Sequence, residues 1–79
     1  METINLRHLN TYDADLKLNS AINHFYFDGA SCLKVIHGNG DKLKKLTREI
    51  VTGYEWAEYS DTNITEVYQP GVSYINFIR

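Results

Sequence analysis

The chain has 79 residues, 43% hydrophobic and 23% charged; this length holds one domain, residues 1–79, and this balance excludes a disordered or fibrous chain. One cysteine, Cys32, excludes an internal disulfide and a cysteine-rich zinc site, and the longest apolar run, Phe25-Tyr26-Phe27, is too short to span a bilayer. Eight Lys and Arg against ten Asp and Glu leave a net charge of −2, which taken alone argues against a nucleic-acid partner.

The start, Met1-Glu2-Thr3-Ile4-Asn5, lacks the basic and apolar stretches of a signal peptide, so a reduced, cytoplasmic protein is expected. Thr3-Ile4-Asn5-Leu6 alternates polar and apolar residues and reads as a first strand. Asn10 to Asp13 offer capping side chains, and Ala14, Leu18, Ala21/Ile22 and Phe25 follow at three- and four-residue steps. This is a helix with one buried stripe, stopped near Asp28-Gly29. Cys32 to Ile36 reads as a short strand buried on both faces. It runs into His37-Gly38-Asn39-Gly40, after which Asp41 is placed to cap a second helix closed by Gly53. Leu43, Leu46 and Ile50 fall within about 60° of one another on that helix, with Lys44, Lys45 and Arg48 opposite. Trp56 to Tyr59 and Val72 to Ile78 read as the last two strands, separated by the polar loop Ser60 to Gly71, in which Tyr68 is expected to be an exposed tyrosine.

The order β-α-β-α-β-β implies a two-layer α/β sandwich on a mixed four-stranded sheet. A helical crossover makes the first two strands parallel, and the last two can pair antiparallel. Ligands collect at the carboxyl ends of parallel strands, so Asn5 to His8 and His37 to Gly40 should meet on one edge. The charge is also uneven. Residues 1–30 carry two basic and four acidic groups (−2), residues 31–52 five against two (+3), and residues 53–79 one against four (−3). An anionic partner would dock at the middle third.

The His-Gly-Asn-Gly turn has two readings. Its glycines permit a positive φ and leave backbone N–H groups unshielded, so a phosphate oxygen could sit there at the helix start with His37 at the rim. Alternatively it is a plain strand-to-helix turn with His37 packed locally. It is not a nucleotide P-loop, because no Gly-Lys-Ser/Thr follows. Lys44, Lys45 and Arg48 form either a phosphate track or the solvated face of an amphipathic helix. Arg7 can fork onto a phosphate and His8 can act as general acid or base; both can equally be ordinary loop residues. His24 reads as structural, Cys32 as a small buried hydrophobe. No histidine or cysteine spacing suits zinc, and no acidic pair for catalytic magnesium stands out.

Together these residues resemble the Smr domain, the small MutS-related domain, over nearly the whole chain. Ile4-Asn5-Leu6-Arg7-His8-Leu9 is similar to the family's Leu-Asp-Leu-(His/Arg)-Gly-Leu, and Val35-Ile36-His37-Gly38-Asn39-Gly40 to its Ile-Ile-His-Gly-Lys-Gly. Leu43-Lys44-Lys45 with Arg48-Glu49 resembles the helix that follows, and Gly71-Val72-Ser73-Tyr74-Ile75 the closing strand. The resemblance implies a sandwich similar to the C-terminal domain of translation initiation factor three. It also implies nucleic-acid binding, with DNA nicking or RNA cleavage in several branches, some acting at ribosomes. By position, Asn5 and Arg7 occupy the Asp-x-(His/Arg) pair, and His37, Gly38 and Gly40 the glycine turn.

Three replacements set this chain apart: Asn5 for the family aspartate, His8 for the glycine and Asn39 for the lysine. The turn before Leu43 is also one residue short. An amide is neither a carboxylate base nor a charged metal ligand, so dependence on that aspartate would make this chain a binder; His8 offers a proton-transfer group instead. The expected protein binds DNA or RNA through Gly38, Asn39, Gly40, Lys42, Lys44, Lys45 and Arg48, with Arg7 alongside. Phosphodiester cleavage would fall to His37 or His8 and Arg7. No membrane and no nucleotide cofactor is expected, and a divalent metal is left open. The alternative is a cleavage-inactive adaptor for nucleic acid, ribosome or protein.

Overall fold

The computed structural model describes residues 1–62 and 69–79. Its elements run β1 (Glu2–Asn5), α1 (Thr11–Phe27), β2 (Cys32–Ile36), α2 (Asp41–Thr52), β3 (Ala57–Ser60) and β4 (Val72–Phe77). This is the order read from the sequence. The strands form one mixed sheet in the order β1-β2-β4-β3, with β1 and β2 parallel and β4 antiparallel to both its neighbours. The central place of β4 follows from its composition: Ser73, Tyr74, Ile75 and Phe77 are all buried, whereas edge strand β1 only half-buries Ile4. Tyr68 and the rest of 63–68 lie outside the described residues.

Helix α1 begins where the Asn10 side chain accepts the Asp13 N–H at 2.8 Å, satisfying one of the unpaired first-turn donors. Ala14, Leu18, Ala21 and Ile22 form its buried stripe. It ends with Gly29 at φ +92° and the Ala30 N–H reaching back to the Phe25 carbonyl at 3.0 Å.

Helix α2 starts differently from the sequence reading. Gly40 is the N-cap, with no side-chain cap bond, and Asp41 is already the first helical residue. The buried centre of α2 is Thr47 and Val51, while Leu43, Leu46 and Ile50 are half-buried. Thr47 tolerates burial because its hydroxyl donates to the Leu43 carbonyl at 2.8 Å.

Both helices cover the sheet face that carries Leu33, Val35, Ala57, Ile75 and Phe77. Strand β2 is therefore not buried on both faces. Leu33 and Val35 are sealed, but Cys32, Lys34 and Ile36 on the opposite face are only half-buried, since no helix of the described residues covers that side. Burial raises the Cys32 thiol pKa, partly offset by the Leu33 N–H, which lowers the share of the nucleophilic thiolate. Strand β3 begins one residue later than expected, at Ala57; Trp56 before it still accepts the Ile78 N–H at 2.8 Å and packs on Tyr26, ring centroids 3.9 Å apart. No helix among the described residues is long and apolar enough to cross a membrane.

Candidate nucleic-acid interface

Parallel pairing of β1 and β2 brings their carboxyl ends side by side, with Asn5 opposite Ile36. The chain leaving β1 is tied down at once. The Leu6 N–H donates to the Ile36 carbonyl at 2.7 Å and the Leu6 side chain is buried. The Asn5 side chain accepts the Arg7 N–H at 2.9 Å, and Lys17 Nζ donates to the Asn5 carbonyl at 3.0 Å. Asn5 thus organises the turn that presents Arg7. The Arg7 side chain lies against the second segment: its Cγ is 3.6 Å from where a Gly38 Cβ would be. Its guanidinium has no partner among the described residues. The two segments do converge on one edge.

His8 is exposed and holds φ at +69°, in the left-handed region. For an L residue this conformation costs about 1–2 kcal/mol. His8→Gly is therefore expected to raise stability by about 1 kcal/mol in urea unfolding, after the added flexibility of the unfolded chain is set against the relieved strain.

The glycine bend is less open than the sequence suggests. Gly38 takes φ +86°, as expected, but Gly40 does not have a positive φ; as N-cap it sits at −75°. The N–H groups of His37 and Gly38 both donate to the Gly71 carbonyl, at 2.9 and 3.0 Å. Two of the bend's four amides are thus spent internally. Those of Asn39 and Gly40 have no acceptor among the described residues, and they adjoin the uncapped first turn of α2. Arg7, Gly38, Asn39, Pro70 and Gly71 help line an open depression of about 300 Å³ at this point. The exposed Asp41 carboxylate in the first turn limits how much negative charge the helix start can attract.

His37 is not at the rim. It continues the inward parity of Leu33 and Val35, so its ring turns under the helices and is 4% exposed. Nδ1 lies 2.8 Å from the Gly38 carbonyl and Nε2 2.7 Å from Ser73 Oγ. His24, by contrast, is exposed on α1, its ring edge-on to Phe25.

The basic strip is also divided. Lys44 is half-buried and paired with Asp61 at 3.6 Å. Lys45 and Arg48 are exposed, with the Arg48 guanidinium 5.2 Å above the Tyr59 ring. Lys42 is exposed too, but it projects about 200° around the helix from Lys44. Among the described residues no cluster of three or more His, Cys, Asp or Glu could hold a metal ion.

Sequence reasoning passed over Gly71, Ser73 and Tyr59. Gly71 follows the only proline, and Ser73 is a polar residue at an inward strand position; both were available signals.

A two-layer sandwich with a glycine bend and an unpaired arginine at its parallel strand ends defines a class, and the comparisons fix it. The Smr domain model matches residues 4–77, so the chain belongs to the Smr domain family. The crystal structure of the Smr domain of Thermus thermophilus MutS2 superposes with a TM-score of 0.87 over 100% of both chains at 23% identity, which shows a shared fold. No curated protein sequence matches the chain. The family is known in general for nucleic-acid binding, with nicking endonuclease activity associated with it.

Proposed function

We propose that this domain binds the phosphate backbone of a nucleic acid along the edge made by the turn after β1 and the start of α2. The observation that carries this reading is the Arg7 guanidinium, unpaired among the described residues, beside a bend whose Asn39 and Gly40 N–H groups lack acceptors. A guanidinium fork and two backbone donors suit phosphate oxygens. Lys42, Lys45 and Arg48 add exposed positive charge on the adjoining helix, whereas Lys44 is held by Asp61 and adds no net charge there.

Strand scission is a second reading, supported by His8. Its imidazole is exposed, one residue from Arg7, and has no partner among the described residues. In that reaction His8 moves the proton and Arg7 stabilises charge developing on the phosphate. His37 supports the bend from beneath, and Asn5 holds the Arg7 turn in place of a carboxylate.

Purified protein titrated with labelled single- and double-stranded DNA and RNA, with and without divalent metal, tests both readings. Binding should weaken as salt rises. Arg7→Ala should cost roughly tenfold in affinity and lower the salt slope by about one. Failure of all four probes to bind would overturn the reading. Salt-sensitive binding without cleavage would leave a cleavage-inactive adaptor, with ribosome association a separate question.

A further inference from the structure

Four polar contacts join the buried His37 to the surface. Nδ1 meets the Gly38 carbonyl at 2.8 Å, Nε2 meets Ser73 Oγ at 2.7 Å, Ser73 Oγ meets Tyr59 Oη at 2.7 Å, and Tyr59 Oη meets Asp61 Oδ1 at 2.9 Å. The placement follows from strand parity. His37 and Ser73 share the helix-covered face, Tyr59 opposes Ile75 on the same face, and Asp61 follows the end of β3. A flipped imidazole would set two ring carbons against the Gly38 and Ser73 oxygens, so the contacts fix the ring as they fix the chain.

The four contacts fix how many protons these groups must hold. Each contact needs one hydrogen, four in all. A neutral imidazole, a serine hydroxyl and a tyrosine hydroxyl supply one each, and a carboxylate supplies none. All four contacts are hydrogen bonds only when the chain holds one further proton. Two arrangements satisfy it. In the first, His37 is an imidazolium donating from both nitrogens, Ser73 donates to Tyr59, and Tyr59 donates to an ionised Asp61. In the second, Asp61 is protonated and donates to Tyr59, Tyr59 to Ser73, and Ser73 to Nε2 of a neutral His37. They interconvert by three proton hops: Nε2 to Ser73 Oγ, the former Ser73 proton to Tyr59 Oη, and the former Tyr59 proton to Asp61 Oδ1.

We propose that Ser73 and Tyr59 are positioning residues that share one proton between His37 and Asp61, and so set the charge beneath the glycine bend from the protein surface. The charged groups around this chain favour the first arrangement. On α2, Lys44 pairs with Asp61 and Arg48 lies over Tyr59, both stabilising the carboxylate end. From the β1 turn, Arg7 reaches Gly38 and opposes the imidazolium from outside. Strand β4 contributes no charged residue, Tyr74 lying on its opposite face, and Glu58 on β3 also faces away from Tyr59. Burial is the main cause raising the Tyr59 pKa above the ordinary tyrosine value, which keeps that link protonated. The imidazolium donates to the Gly38 carbonyl, drawing negative charge out of the bend that receives phosphate. This consequence rests on the proposed function; the shared proton does not.

Nitrogen NMR of the His37 ring across a pH series tests the relay without any ligand. Protonation of both ring nitrogens is the signature of the first arrangement. Tyr59→Phe cuts the chain while keeping the Lys44–Asp61 pair, and Asp61→Asn supplies the fourth hydrogen from its amide. Each variant should lose the doubly protonated signature at a pH where wild type keeps it. Identical ring titrations in wild type and in whichever variant folds would overturn the proposal. In the binding arm, oligonucleotide affinity should rise as pH falls in wild type and lose that His37-linked rise in Tyr59→Phe. Relay signatures without oligonucleotide binding would sink the functional reading alone; oligonucleotide binding with unchanged ring titrations would sink the relay alone.

Discussion

Gly71→Ala is expected to destabilise the domain by about 3 kcal/mol, lowering its melting temperature by roughly 15 °C. Two independent effects combine. Gly71 holds φ +82°, where an L side chain costs about 1–2 kcal/mol. A Cβ there would also lie 3.0 Å from Asn39 Oδ1, 3.1 Å from the Gly38 carbonyl carbon and 3.2 Å from Gly38 Cα. Backbone cannot yield as a side-chain tip can, so the bend must shift, and with it the two N–H groups that Gly71 receives. Gly29→Ala separates the two effects: its φ is +92°, but nothing lies within 4 Å of the added carbon, so it should lose only about 1 kcal/mol. Gly40→Ala, at φ −75° in open space, should change stability little. Urea unfolding of the three variants decides this, and a Gly71→Ala loss no larger than that of Gly29→Ala would remove Gly71 as the brace of the bend.

Local sequence pattern determines part of this architecture and long-range strand register the rest. Element order, the parallel β1–β2 pair and the meeting of Arg7 with Gly38 follow from local periodicity and from crossover geometry, both of which act over short stretches of chain. The turn leaves His37 either at the rim or packed locally; one more step of strand parity after Leu33 and Val35 decides for the second and buries it. Gly71, after the proline, and Ser73, polar at an inward strand position, carry local signals, but their partners, like that of Tyr59, do not. Their roles depend on β4 inserting beside β2 in one register, a pairing 36 residues apart for His37 and Ser73. No local pattern encodes that register. Asp41 is a conflict of a third kind: aspartate favours the N-cap, but the bend closes one residue earlier on Gly40, leaving the carboxylate in the first turn. Lys44 and Asp61 show how mean charge misleads, since the acidic final third folds back to neutralise one member of the basic strip.

That neutralisation determines how the strip must be tested. Reversing Lys44 would set a carboxylate against Asp61 and disturb the fold along with any binding. Lys45 and Arg48 are exposed and carry no ion pair among the described residues, so Lys45→Glu with Arg48→Glu isolates the electrostatics. The pair should weaken oligonucleotide binding on the order of a hundredfold at moderate salt, and lower the salt slope by about two. Stability should fall by no more than about 1 kcal/mol, since what is lost inside the protein is the Arg48–Tyr59 stacking. The affinity gap should narrow near molar salt, where charges are screened within about 3 Å. Arg7→Ala provides the contrast, because its loss should include a directed hydrogen-bonding component that salt does not erase. Wild-type affinity in the doubly reversed variant would show that the helix face is merely solvated, and would confine recognition to Arg7 and the two open amides of the bend.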